Sequence, residues 1–339
     1  MQRSTSRVIA LAACFGLVLM FSSAALAQYY SYDSLVSNIP GKGVHTDTLL
    51  ANPWGLAYGP GAPFWVSDEA SGWSTLYNAN GVPQSLQVMV PSSSGMGWGT
   101  PTGIVYNPST EFQIQSWTSA FIFATLDGTI SGWSHFELGN TLIAVRNPTA
   151  MYTGLAISLK KSGNFIYAAD AANNKVDIYD ADFNFVKSFT DSKTPTGFAP
   201  FGIQNIGGRI YVSYAAQNGG PGGFIDIFHE DGTFVRRLVD GGVLNQAWGM
   251  AVAPSDFGPL SGTLLVTNNI TAGTINGFDL TTGKLVGTLK NSKGNPLTIN
   301  GLWGIEFGGG TPANGKTNQL FYTAGPNDAD GSFGVINSH

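Results

Sequence analysis

The sequence predicts an all-β chain closed into a ring of six four-stranded units. Three observations predict it: a repeat of 47 to 55 residues, a defect in its last copy that the N-terminal residues can mend, and a placement of charge that suits a ring. The repeat opens on a glycine followed by Leu, Ile or Met, at Gly55, Gly103, Gly154, Gly202, Gly249 and Gly304. Spacings of this size mark repeat architectures.

The clearest copy runs from Thr153 to Phe189. Gly154–Ile157 reads as its first strand, Phe165–Asp170 as its second, Val176–Tyr179 as its third and Phe185–Phe189 as its fourth. β-Branched and aromatic runs broken by Gly, Asn and Asp are strand and hairpin signals. Second strands follow every opening glycine: FWVSD at 64–68, FIFAT at 121–125, IYAAD at 166–170, IYVSY at 210–214, LLVTN at 264–268 and LFYTA at 320–324. Third and fourth strands complete units one to five. Unit six ends after its third strand, 332–336, and the segment 34–39 near the N-terminus supplies the missing fourth. The expected fold is thus a six-bladed β-propeller with a three-plus-one closure, which leaves no open edge.

In such a ring the inner strands are covered on both faces and the outermost carry the charge. Arg146, Lys187, Arg236, Arg237, Lys284 and Lys290 fall in or beside fourth strands, and Arg209 is the one cation in a second strand. The repeated glycine fits strands that crowd the axis. Composition agrees: 339 residues, 43% apolar, 45 glycines and 11% charged.

Residues 1–27 read as a leader. Arg3 and Arg7 precede the apolar run Val8–Phe21, and Ala25-Leu26-Ala27 offers a small-x-small cleavage site. The run is short for a membrane span. Leu11-Ala12-Ala13-Cys14 resembles a lipoprotein box, but the apolar run continues past Cys14, which favours ordinary cleavage. The expected mature chain, a single domain over 28–339, has no cysteine, which excludes disulfides and thiol catalysis. Without Arg3 and Arg7 it carries 14 basic and 21 acidic residues, a net of −7, which argues against nucleic acid and anionic membranes as partners. The expected state is a monomer, secreted or periplasmic, with no membrane insertion after cleavage.

Catalytic motifs are scarce. The four histidines, His45, His135, His229 and His339, fall away from the expected axis, and neither G-x-S-x-G nor H-E-x-x-H occurs. Gly310–Thr317 spells a phosphate loop, but a strand follows it where the chemistry needs a helix. Asp180–Asn184 has calcium-loop spacing, with Phe185 where glycine is required, and reads as a hairpin turn. Asn327–Gly331 is oxygen-rich, and ordinary turn chemistry accounts for it. Six of the eight tryptophans lie between Trp54 and Trp133, in a stretch without Lys or Arg. They serve strand packing there, or form a face that stacks on sugars and other flat ligands.

The stretch 166–189 resembles an NHL-type propeller repeat, and the six-unit ring is similar to the gluconolactonase and senescence-marker-protein propellers. Asn52–Leu56, with Phe64–Asp68 and Ser74–Asn78, more closely resembles a family of secreted bacterial propeller proteins without established activity. The lactonase resemblance implies an axial divalent cation held by Glu, Asn and Asp just before the opening glycine-apolar pairs. The matching positions here are Trp54, Thr102, Thr153, Phe201, Trp248 and Trp303, none of them a carboxylate or amide. Asp68, Asp170 and Asn268, at equivalent second-strand ends, are the substitutes for metal ligands; no cofactor is otherwise expected, and calcium is the ion to consider.

The six axial positions must point to one axis, so they are the expected ligand-binding residues, as a stacking platform or as a plug. The leading expectation is a non-catalytic module that binds a small molecule, carbohydrate or protein through its axial face. A metal-dependent lactonase-type hydrolase and a rigid surface or matrix scaffold are the alternatives, and fold alone does not choose between them.

Overall fold

The computed structural model describes residues 28–137, 139–160 and 163–339. The leader expected over 1–27, with its cleavage site and Cys14, lies outside the described residues. Within them the chain forms six blades of four antiparallel strands in the order expected, and a two-residue parallel strand, His45–Thr46, adds a fifth to the outer edge of blade 6. Blade 1 is Pro53–Ala57, Phe64–Asp68, Trp73–Tyr77 and Val88–Met89; blade 3, the template copy, is Tyr152–Ser158, Phe165–Asp170, Lys175–Asp180 and Phe185–Phe189. Inner strands pack on one another in sequence around the axis, and that of blade 6 (Leu302–Phe307) meets that of blade 1.

Burial follows position in the blade. The second strands Phe64–Asp68, Phe121–Thr125, Leu264–Asn268 and Leu320–Ala324 are buried at every residue. The outer strand of blade 3 exposes Phe185 to Ser188. Runs without Lys or Arg therefore sit between neighbouring blades, and Lys and Arg sit where water is. The apolar core is accordingly six clusters, one in each gap between blades. In the cluster joining blades 6 and 1, Phe64 lies tilted on Phe321 at 4.4 Å and Phe321 stacks on Phe333 at 5.8 Å.

Closure is three-plus-one. Tyr30–Ser37 pairs antiparallel with Ser332–Ser338, from Tyr30 opposite Ser338 to Ser37 opposite Ser332. The strand begins four residues earlier than the sequence expectation of 34–39. Tyr30 explains the difference: its hydroxyl donates to Phe257 O at 2.9 Å and accepts from Leu260 N at 3.0 Å, anchoring the strand to blade 5.

Every inner strand breaks register with its second strand at the repeated glycine. Pairing skips from Pro53 to Leu56, from Pro101 to Ile104, from Tyr152 to Gly154, from Pro200 to Ile203, from Ala247 to Met250 and from Leu302 to Ile305. A bulge leaves backbone groups without ladder partners and turns a side chain out of the sheet's alternation. In blades 5 and 6 a second-strand hydroxyl meets the unpaired groups. Thr267 Oγ1 accepts from Gly249 N and donates to Trp303 O, both at 2.8 Å. Thr323 Oγ1 accepts from Gly304 N at 2.9 Å and donates to Trp54 O at 2.7 Å, which latches blade 6 to blade 1. Ser213 makes the same bridge from Gly202 N to Ala247 O. Backbones of neighbouring blades come so close here that a Cβ at Gly304 would lie 2.7 Å from Trp54 O. Only glycine fits.

Candidate functional site

The six residues that the sequence places on the axis are the residues the bulges leave unpaired, but they divide into three environments. Trp54 and Trp303 stack at 3.6 Å and are buried. Phe201 and Trp248 meet this pair edge-on or tilted, with centroids 5.6 to 6.1 Å away. Four rings thus fill the middle of the axis. Trp303 Nε1 donates to Asn52 Oδ1 at 3.0 Å, and Trp248 Nε1 donates to Thr153 O at 2.8 Å, from blade 5 to blade 3. These bonds fix the two rings, whereas the buried Trp54 Nε1 has no partner among the described residues.

On one side of this plug lies a cleft of about 420 Å³ between blades 3 and 4 and the axis. Trp54, Phe201 and Thr153 line it, with Met151, Leu126 and a run of small residues such as Ala171 and Ala215. It exists because the bulge residue of blade 3 is Thr153, where blades 5, 6 and 1 each carry tryptophan. Small side chains at the strand ends of blades 3 and 4 leave the rest of the space. Two amides, Gln217 and Gln246, stand at its edge. Gln246 Nε2 donates to Ala216 O and Gly220 O, both at 3.0 Å, which fixes the amide.

The expected ligand-binding set is therefore only partly brought to the cleft. Thr102 is fully buried and its hydroxyl donates to Tyr152 O at 2.7 Å, holding blade 2 to blade 3. Trp303 lies within the plug, and Trp248 lines the narrow channel on the far side. Sequence periodicity places all six at one level of the ring. It does not say which side of the plug each one faces.

Asp68, Asp170 and Asn268 are not brought together. Each ties its own second-strand end to a local loop, and no hydrogen bond joins one to another. Asp68 Oδ2 accepts from Thr75 N and Oγ1 at 3.0 and 2.8 Å, and complete burial pushes its carboxyl well above the usual range despite them. Asp170 accepts from Met151 N at 3.1 Å and from the Asn173 amide at 2.7 Å. Asn268 accepts from Asn245 N and donates to Val243 O. Among the described residues no group of three His, Cys, Asp or Glu could hold a metal ion.

The motif look-alikes behave as turns. Gly310 and Gly315 bond across a tight turn that runs into the strand Leu320–Ala324, with no helix to receive phosphate. Asp180 Oδ1 accepts from Asp182 N and Asn184 N, a hairpin turn closed on its own backbone.

The opposite mouth of the channel was not anticipated. Glu306, Gln204, Asn205, Tyr58 and Tyr106 border a space of about 300 Å³ there. Glu306 stands two residues after its repeat glycine, where the other copies have Ala57, Val105, Ala156, Gln204 and Ala251. Setting the six copies against one another at that position would have exposed it. The residue keeps some solvent contact in the mouth, but protein surrounds its carboxyl closely enough that desolvation pushes it up to about 7. Burial and that charge raise the Tyr58 hydroxyl to about 12.

Among solved structures, a streptogramin B lyase superposes with a TM-score of 0.57 at 12% identity, covering 92% of this chain and 98% of that one. The PQQ-bound aldose sugar dehydrogenase of Streptomyces coelicolor gives 0.57 at 15% identity, over 91% and 98%. These likenesses show the six-bladed fold alone, and the two proteins differ in activity. No protein-family model matches the chain. Three uncharacterized proteins of Acanthamoeba polyphaga mimivirus do match it in sequence. R648 is 32% identical over 327 residues, 89% of this chain and 78% of that protein. L690 is 30% identical over 80% of this chain and 77% of that protein. R640 is 34% identical, over 81% of this chain and 53% of its own length. All three are viral, so the resemblance to a secreted bacterial family finds no support in them. With R648 and L690 matched over more than three-quarters of their lengths, the chain belongs to the family of these mimivirus proteins, as a six-bladed β-propeller.

Proposed function

We propose that this protein is a non-catalytic binding module that takes a small, flat, largely apolar molecule into the cleft beside the axis. The observation that carries this reading is the cleft itself. Its volume of about 420 Å³ lies within the range of ligand pockets, roughly 300 to 1,000 Å³. Its floor is aromatic, through Trp54 and Phe201, and its few polar groups stand at the rim. Such a floor offers stacking to a flat ring, and the rim amides offer hydrogen bonds to polar edges. The three carboxyl and amide groups that could serve a lactonase-type reaction are engaged in loops, which favours binding over hydrolysis. Export with removal of 1–27, to a secreted or periplasmic location, is part of the same proposal and rests on the leader residues.

Trp54 makes the cleft self-reporting. A panel of flat heteroaromatics and short oligosaccharides should contain members that change tryptophan fluorescence saturably and raise the melting temperature. Phe201→Ala should abolish that response with little loss of stability, since Phe201 is only half-buried. If no member moves either signal, or the response survives Phe201→Ala, the binding reading fails and the rigid scaffold takes its place.

A further inference from the structure

The mouth on the far side of the plug is built differently from the cleft. Its lining comes from the second and third positions after the repeat glycines: Gln204 and Glu306 at the second, and Tyr58, Tyr106 and Asn205 at the third. Four blades thus contribute polar or aromatic groups to one space of about 300 Å³.

The groups differ in how far they are engaged. Asn205 is committed: its Nδ2 donates to Ile157 O at 3.0 Å and to Glu230 Oε1 at 3.2 Å, and its Oδ1 accepts from Gly208 N. Glu306 is not. Among the described residues neither a hydrogen bond nor a charge contributes to the state of its carboxyl, and desolvation alone does. The titratable groups that face it are the hydroxyls of Tyr58 and Tyr106, and burial raises that of Tyr58 to about 12, so it brings no charge near neutrality. Glu230, on the side of Asn205, is already paired with Lys160 and bonded to Ser158.

An acid set deep in a mouth with no cation beside it carries an unfavourable charge when ionised. A ligand that brings one positive charge removes that penalty. A metal ion would ask for several oxygen ligands, and only one carboxylate is present. The walls also include two tyrosine rings, against which an alkyl chain can pack and a cation is attracted.

We propose that this mouth binds a small primary alkylammonium ion. Its ammonium group donates to the Glu306 carboxylate and to the Gln204 side-chain oxygen, and its alkyl part lies between Tyr58 and Tyr106. The site is separate from the apolar cleft, because the four-ring plug stands between them.

Ionised Glu306 is the binding form, so affinity is linked to proton release. With half-ionisation at about pH 7, the ionised fraction falls roughly tenfold between pH 8 and pH 6. Titration of the whole protein with n-butylammonium chloride, followed by calorimetry and by the chemical shifts of the tyrosine rings, tests this. Saturable binding is expected at pH 8, weakened roughly tenfold at pH 6, with protons released to the buffer between those values. Glu306→Gln should remove the binding while circular dichroism stays native and unfolding stays cooperative. Asp182→Asn, an exposed carboxyl in a distant turn, should leave it unchanged. Tetramethylammonium should bind more weakly, because it donates no hydrogen bond, and n-butanol should not bind. No saturation by butylammonium at tens of millimolar, equal binding of butanol, or binding that persists in Glu306→Gln or is indifferent to pH would each overturn the proposal. Phe201→Ala separates the two sites: it should abolish the cleft response and leave butylammonium binding intact.

Discussion

Removing the hydroxyl of Thr323 tests whether the ring is held by the bulge latches. Thr323→Val keeps the shape of a fully buried side chain and deletes two hydrogen bonds, one from Gly304 N at 2.9 Å and one to Trp54 O at 2.7 Å. Both backbone groups sit in bulges, so the ladder cannot take them back. A buried donor or acceptor left without a partner costs about 1–3 kcal/mol, and a carbonyl, with its second lone pair, lies at the low end. The expected loss is therefore roughly 2–4 kcal/mol. Ser67 is the internal control, because it occupies the same repeat position in blade 1, is fully buried, and its hydroxyl has no partner. Ser67→Ala should fall within about 0.5 kcal/mol of wild type, or stabilise, because nothing satisfied is lost. Urea unfolding followed by tryptophan fluorescence and far-ultraviolet circular dichroism measures both, provided the slopes match wild type. If Thr323→Val unfolds at the wild-type midpoint, or Ser67→Ala falls as far, the latch reasoning is wrong.

Deletion of residues 28–40 should expose the edge of Ser332–Ser338 and strip Tyr30 from Phe257 and Leu260; a lower melting temperature or aggregation by light scattering is expected, and unchanged melting and dispersity would refute it. Arg237→Met should cost about 3–5 kcal/mol at neutral pH, because it leaves Asp226 and Asp191 buried without their guanidinium partner. Burial holds Asp226 at about 6 even beside Arg237, so the gap to wild type should narrow in urea melts below that pH. Glu306 holds its proton up to about pH 7 in the folded chain, against an ordinary value of 4.5. The native state thus binds more protons between those values, and stability should fall as pH rises through them. Glu306→Gln should lack that slope in melting temperatures measured from pH 4 to 8.

The blades were legible because their signals are local. β-Branched and aromatic runs, turn residues and a repeated glycine survive in each copy, and the incomplete sixth copy announces its own remedy. The start of the closing strand was less legible, because Tyr30 earns its place through a bond to Phe257, more than two hundred residues away. Asp68, Asp170 and Asn268 show a different limit. The oxygens that bind a cation are the ones that tie a loop to a strand end, and sequence spacing is the same for both. At the axis, periodicity found the six positions but not the bulges that aim them. It could not foresee that Thr153 borders a cleft while Thr102, the same residue type at the same position, does not, although each hydroxyl bonds a carbonyl of the next blade. Glu306 was visible only as one acidic letter in a strand otherwise read as apolar.

The bulge also explains why one frame can carry different ligands. Its backbone demands are met by a glycine and, in three of the six blades, by a neighbouring hydroxyl, in the pairs Gly304 with Thr323, Gly249 with Thr267 and Gly202 with Ser213. None of these contacts involves the side chain just before the glycine. That side chain projects to the axis, free of the ladder, and here it is tryptophan three times, threonine twice and phenylalanine once. In these three blades latch and axial lining are thus set by different atoms, whereas in blades 2 and 3 the axial threonine itself bonds the next blade. A change at Phe201 should alter the cleft without touching a latch, whereas a change at Gly202 forces two backbones apart whatever the axis holds. The same separation holds on the far side, where Glu306 and Gln204 follow the bulge and rejoin the ladder opposite Phe321 and Tyr211. Recognition at either mouth can therefore change one blade at a time while the ring stays closed.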